Sequence, residues 1–344
     1  MSRSIVVTGG AGFIGSAFVL EAVRREYRVT TLDALTYAGV KANLDPVQSS
    51  PLHELVQGDI RDRPLVEALL ARVRPEAIVH FAAESHVDRS IDTPEAFVQT
   101  NVVGTLALLD AVRRANNGPV RFLHVSTDEV YGSLGPVGYF TEQSRVEPNS
   151  PYAASKAASD HLVRAYHQTF GLDTVTTNCC NNYGPRQFPE KLIPLVILNA
   201  IEGRPIPVYG DGLQRRDWIY VEDHCAGVFD ALERGKSGET YLLGARAEVT
   251  NLEMVGSICD ILQELRPLST RYRDLITHVQ DRPGHDRRYA IDPSKSERDL
   301  GFSPRFALRE GLAKTVQWYL DNQSWCQHIS DTKYARERLG TVTK

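Results

Sequence analysis

The chain has 344 residues, of which 42% are hydrophobic and 24% charged, enough to bury a large core in about two domains or one domain with a lobe. Its formal net charge of −4 offers no basic balance for nucleic acid or an anionic membrane, and no apolar stretch approaches the roughly 20 residues needed to span a bilayer. Met1-Ser2-Arg3-Ser4 runs directly into a strand rather than a signal peptide, and five cysteines without Cys-x-x-Cys spacing read as reduced thiols, so a cytoplasmic protein without a metal site is expected.

The first strand is Ser4-Ile5-Val6-Val7-Thr8, followed by Gly9-Gly10-Ala11-Gly12-Phe13-Ile14-Gly15 and an apolar-periodic helix from Phe13 through Val23. Strand, glycine turn and helix in that order fit a dinucleotide fingerprint, in which close backbone approach and a helix amino terminus receive a pyrophosphate. A second strand, Arg28 to Leu32, ends at Asp33, 18 residues after Gly15. A carboxylate there accepts hydrogen bonds from a ribose 2′-hydroxyl and repels a 2′-phosphate, which favours NAD over NADP.

Strand and helix signals then alternate: His53 to Asp59, an amphipathic stretch Pro64 to Val73, Ala77 to Phe81, and a long helix Phe97 to Ala115. Asp59 and the pair Ala82-Ala83 fall at strand ends. The apolar run Phe122-Leu123-His124-Val125 reads as a buried strand, so Thr127, Asp128 and Glu129 emerge at its carboxyl end, where open α/β sheets bind ligands. Tyr152 and Lys156 lie four residues apart in a helix Tyr152 to Phe170, on one face, where an ammonium can stabilise a phenolate. Val175 to Cys180 is a further strand. Pro and Gly then become denser, through Tyr183-Gly184-Pro185 and Pro205 to Gly210, which marks a loop-rich second region. The expected fold is therefore α/β: a doubly wound, mostly parallel Rossmann sheet over 1–180, with about 216–249 returning to it, and a smaller substrate domain from 181–215 and 250–344.

The glycine turn, Tyr152-x-x-x-Lys156 and the βα alternation resemble the extended short-chain dehydrogenase/reductase family, and Thr127-Asp128-Glu129 narrows the resemblance to its nucleotide-sugar 4,6-dehydratases. Runs at 83–90, 181–185, 188–194, 216–218 and 281–286 extend the similarity over most of the chain. The resemblance implies NAD as cofactor, dTDP-glucose as substrate, and a homodimer paired through the helices Phe97–Ala115 and Tyr152–Phe170. It implies a catalytic set of Thr127, Asp128, Glu129, Tyr152 and Lys156. NAD would be contacted by Gly9, Gly12, Phe13, Ile14 and Gly15, by Asp33, Ala34 and Thr36, by Asp59 and Ile60, and by Ala82, Ala83, Thr100 and Asn182, along with Tyr152 and Lys156. Ser85 and Asn181 would touch the sugar or its phosphate and Thr127 the sugar near O4; Glu190, Lys191, Leu192, Pro207, Tyr209 and Asn251 would line the nucleotide side, Arg216 and Arg282 would meet the pyrophosphate, and His285 would complete the substrate-binding set.

The implied chemistry accounts for the side chains. The C5 proton of a hexose is not acidic until C4 is a ketone. Tyr152 would take the O4 proton as C4 is oxidised, Glu129 the C5 proton, and Asp128 would protonate the departing C6 hydroxyl, which requires that Asp128 be a carboxylic acid at working pH. Two residues depart from the family pattern: Arg186 replaces an aromatic residue near the expected substrate mouth, and Cys180 stands where Ser is common. A nucleotide-sugar 4-epimerase or decarboxylase shares Tyr152, Lys156 and the glycine turn but has no use for Asp128 and Glu129. A non-catalytic NAD-sensing protein would be expected to lack Tyr152, Lys156 or Glu129.

Overall fold

Short β-branched and apolar runs pair into a parallel sheet in a computed structural model, which describes residues 3–115, 118–334 and 336. The strands are β1 (Ser4–Thr8), β2 (Arg28–Asp33), β3 (His53–Gln57), β4 (Ala77–His80), β5 (Arg121–Thr127), β6 (Thr174–Cys179), β7 (Asn181–Tyr183), β8 (Ile206–Tyr209), β9 (Arg215–Tyr220), β10 (Thr240–Leu243), β11 (Glu248–Thr250) and β12 (Ile276–Val279). Seven of these form the main sheet in the order β10-β6-β5-β4-β1-β2-β3, every neighbouring pair parallel. The run β3-β2-β1-β4-β5-β6 is the dinucleotide-binding order, and its direction reverses between β1 and β4, which opens a crevice at their carboxyl ends.

Helices cover both faces. Phe18, Val19 and Ala22 of the helix Phe13–Arg24 pack with Val228 and Phe229 of the helix Val221–Arg234 on one side, the rings of Phe18 and Phe229 stacked at 4.1 Å. On the other side the helices Arg63–Val73, Thr105–Arg114 and Pro151–Phe170 bury Leu69, Leu70, Leu108, Leu109 and Val163. The expected helix Phe97–Ala115 is not uniform: an α-turn Pro94–Phe97 runs into a π-helical segment Val98–Gly104 before Thr105–Arg114. The wide turns let Asn101 reach Glu84, accepting from its N–H at 2.9 Å and donating to its carbonyl at 3.0 Å. They also set Thr100 on the wall of the ligand crevice.

A second core gathers around Ile197, Val208, Ile258, Leu312 and Tyr319, under the small sheets β11-β9-β7 and β12-β8. The segment 216–249 is divided between the two cores. The helix Val221–Arg234 and β10 return to the main sheet, while β9 and β11 pair with each other in the small one. A later segment also comes back, since Tyr289, Ile291, Leu300 and Phe302 pack into the first core. Among the described residues no helix is long and apolar enough to cross a membrane, and no group of His, Cys, Asp or Glu is placed to hold a metal ion.

Candidate active site

One cavity of about 430 Å³ runs along the carboxyl ends of β1, β2, β4 and β5. At its β1–β2 end lie Gly9, Gly12, Phe13, Ile14 and Gly15, then Asp33, Ala34 and Thr36. Gly9 adopts φ +71°, and a Cβ there would stand 2.6 Å from the Ala82 nitrogen. A Cβ on Gly12 would meet only the Gly9 carbonyl within 4 Å, so this turn presents bare backbone to the cavity. The helix that follows has no side-chain cap at Gly12 and no acid in its first turn, leaving its amino terminus free for an anion. Asp33 closes this end: its carboxylate accepts from the N–H groups of Ala11 and Leu35, both at 2.8 Å. Glycine cradle, uncapped helix and buried acid together fit NAD. Asp59, Ile60, Ala82, Ala83, Thr100 and Asn182 line the same cavity, and Asp59 is clasped by Arg61 at 2.6 Å.

Further along the wall are Thr127, Asp128, Glu129, Tyr152 and Lys156, with Ser85, Asn181, Glu190 and Lys191 opposite. β5 ends at Thr127, whose hydroxyl accepts from the Glu129 N–H at 3.3 Å and donates to the Asp128 carboxyl at 3.4 Å. Asp128 is buried, and burial together with the charges of Glu129 and Asp217 holds its pKa well above the carboxylate range. Its Oδ2 has no hydrogen-bond partner among the described residues. Glu129 is raised as well, chiefly by burial, but Arg282, Lys191 and Arg216 pull it back toward the ionised form. The Tyr152 phenol is pushed up strongly, first by burial and then by Glu129. Lys156 is lowered to about 8 by burial, and its Nζ donates to the Val125 carbonyl at 2.9 Å. The ammonium is thus tethered to the backbone of β5, one helical turn from the phenol.

Leu192, Pro207, Tyr209, Arg216, Asn251, Arg282 and His285 lie outside this cavity's lining. Several meet in a wall beside it. Asp88 takes a hydrogen bond from Tyr209 at 3.2 Å and an ion pair from Arg282, and the Tyr209 ring stands edge-on to His285. Arg216 lies over Tyr289 at 4.2 Å and donates to the Asp286 carbonyl, its charge reaching Glu129. Leu192 packs into the second core, Pro207 sits in β8, and Asn251 opens the helix Asn251–Leu265.

Residues 6–315 match the family described as GDP-mannose 4,6 dehydratase. A dTDP-glucose 4,6-dehydratase of Xanthomonas campestris pv. campestris is 56% identical, with 98% of this chain and 99% of that one covered. One from Neisseria meningitidis is 53% identical over 98% of this chain and 99% of its own. The chain belongs to the dTDP-glucose 4,6-dehydratase family. Among solved members, DesIV from Streptomyces venezuelae, crystallised with NAD bound, superposes with a TM-score of 0.90 at 49% identity, covering 95% of this chain and 100% of that one. A UDP-glucose 4-epimerase of Thermus thermophilus reaches a TM-score of 0.84 at 29% identity over 93% of this chain and 100% of its own, so the scaffold alone does not separate dehydratases from epimerases.

Two features of this member of the family escaped sequence reasoning. Arg186, expected at the substrate mouth, adopts φ +66° and lies over the Trp318 ring at 5.7 Å, while its neighbours Gln187 and Phe188 line the cavity. Asp88 is the second: within the 83–90 run it had no assigned role, yet it anchors Arg282, 194 residues away. No local pattern signals a pairing at that separation. Glu190 likewise receives hydrogen bonds from Tyr37 at 3.1 Å and Arg89 at 2.8 Å, which braces the cavity wall across β2 and the substrate side.

Proposed function

We propose that the protein dehydrates dTDP-glucose to dTDP-4-keto-6-deoxyglucose, with NAD lying between the glycine turn and Tyr152. Bound NAD supplies a hydride acceptor for C4 and a hydride donor for C6. The observation that carries the reading is the environment of two adjacent carboxyls in one cavity with a phenol. Asp128 faces acids and stays protonated, so it can give a proton to the leaving C6 oxygen. Glu129 faces cations, which favour the carboxylate that removes the C5 proton. Tyr152 takes the O4 proton and needs a nearby positive charge to ionise, for which Lys156 is one helical turn away. The Thr127 hydroxyl, in hydrogen-bonding contact with Tyr152 and Asp128, orients the sugar between them. Arg216 and Arg282 offer planar guanidinium groups to the pyrophosphate.

An epimerase would share the cofactor end and Tyr152 but has no proton for Asp128 or Glu129 to move. Separate incubation with dTDP-glucose and UDP-glucose, followed by mass spectrometry, tests the reading: loss of one water from dTDP-glucose is expected, and an unchanged mass with an inverted C4 would favour the epimerase. A homodimer is supported by Val98, Val103 and Phe170, large apolar side chains left exposed on the two helical segments expected to pair. A cytoplasmic setting is supported by five free, buried cysteines.

A further inference from the structure

Behind the active site lies a second cavity, of about 770 Å³, lined by Tyr131, Glu142, Asp160, Arg164, Asn178 and Lys295. Asp160 lines this cavity, whereas Tyr152 and Lys156 of the same helix line the first. Asp160 follows Lys156 by four positions on the helix Pro151–Phe170, hence on the same face about 6 Å along the axis, and by eight positions, about 12 Å, it follows Tyr152. Its carboxylate is held from β5 and β6: Ser126 and Asn178 donate to Oδ2 at 3.0 and 3.1 Å, and the His124 Nε2 stands 3.1 Å from Oδ1. This side chain is 18% exposed, toward the second cavity.

We propose that Asp160 is a positioning residue, the fixed counter-charge that keeps Lys156 protonated and so makes its charge available to Tyr152. The inference rests on the reading of Tyr152 and Lys156 given above. Burial lowers Lys156 to about 8, and Asp160 is the largest influence that opposes it. The next, Cys179, is a thiol pushed up to about 12 and carries no charge near neutrality. No other titratable neighbour opposes the burial of Lys156. From β4 and β5, His80 and His124 are both lowered and neutral, and Asp128 is held protonated. Glu129 on the same turn faces the sugar side and its three cations. The Tyr131 phenol, facing Asp160, is raised by burial. On the helix itself His161 and Arg164 turn to the second cavity, which Glu142, Glu239, Asp292, Lys295 and Arg298 also line. Lys295 there is paired with Glu239 at 2.7 Å.

Removing an anion lowers the pKa of a neighbouring cation. In Asp160→Asn, Lys156 should therefore titrate about one unit lower, in keeping with the usual size of a close-charge effect. Two readouts separate this role from a merely structural one. The first is direct titration of Lys156 by NMR of the NAD-bound protein with isotope-labelled lysine, its signal assigned by its loss in Lys156→Arg. The second is the pH profile of kcat/KM on dTDP-glucose, whose alkaline limb should move down by the same amount. Asp160→Ser, which admits water from the second cavity, should behave like Asp160→Asn, and Asp160→Glu should keep the native limb. An unmoved Lys156 titration in both Asn and Ser variants overturns the assignment of Asp160. A shifted Lys156 titration in a protein whose wild type fails to dehydrate dTDP-glucose upholds Asp160 and overturns the proposed reaction instead.

Discussion

Asp128 faces Glu129 and the buried Asp217, whereas Glu129 faces Arg282, Lys191 and Arg216. Burial raises both carboxyls, but the nearby acids add to the rise of Asp128 while the cations oppose that of Glu129, so under the proposed roles each substitution should stop a different step. Asp128→Asn keeps the size but cannot protonate the C6 oxygen, so water loss should slow by roughly 10²–10⁴. Glu129→Gln should slow by a similar factor, and its signature differs: exchange of solvent deuterium into C5 should disappear. Rapid-quench mass spectrometry reads both, with retained NAD binding as the check on folding. Near-native dehydration by both variants would defeat the acid–base roles. At this scale the sequence announced residue types and their order along the chain, since Thr127-Asp128-Glu129 follows an obvious strand. Which carboxyl is the acid followed there only from the family resemblance; its physical cause was not legible, because Asp217, Lys191, Arg216 and Arg282 come from distant segments and only folding sets them around the pair.

β1, the glycine turn and the helix Phe13–Arg24 form one element in which backbone packing replaces side chains. A Cβ on Gly15 would fall 2.1 Å from the Gly9 carbonyl and 2.9 Å from the Gly10 Cα, both backbone atoms that cannot rotate away. Gly15→Ala should therefore open the turn at a cost of about 1–3 kcal/mol. Expressed in the geometry of the pyrophosphate site, that is roughly a ten- to hundredfold loss of NAD affinity by calorimetry. An unchanged affinity would mean that the turn does not touch the cofactor. Elements of this kind are legible because their signal is local: glycine spacing, an apolar period and an acid at the next strand end. The Val98–Gly104 segment is the contrary case. Its composition suits an ordinary α-helix, but the π-turns let Asn101 bridge the Glu84 backbone and the Ser155 hydroxyl, the latter at 2.8 Å, partners outside any helical window.

The two cores are tied together by the chain's repeated passage between them, which a linear reading divides too simply. Tyr289, Ile291 and Phe302 return to the first core from a segment assigned by composition to the second, because hydrophobic periodicity reports that a residue is buried and not against which partner. The carboxyl-terminal helix Gln323–Thr332 shows the same long reach. Its fully buried Ile329 packs with Val40 and Phe188, and Trp325 donates to Asn43 at 3.0 Å. Tyr37 packs onto this cluster, and next to it Thr36, Ala38 and Gly39 line the NAD end of the cavity. Ile329→Ala removes a buried side chain far from any reacting atom, at a cost of about 2–5 kcal/mol in stability. Because Phe188 and the 36–40 segment rest on Ile329, part of that loss should appear as weaker NAD binding, while Asp128 and Glu129, held from β5, keep their surroundings. The expected outcome is a lower Tm, a higher Kd for NAD, and a near-native rate of water loss once NAD is saturating. A lower Tm with unchanged NAD affinity would show that the carboxyl-terminal helix stabilises the second core alone and does not brace the cofactor end of the first.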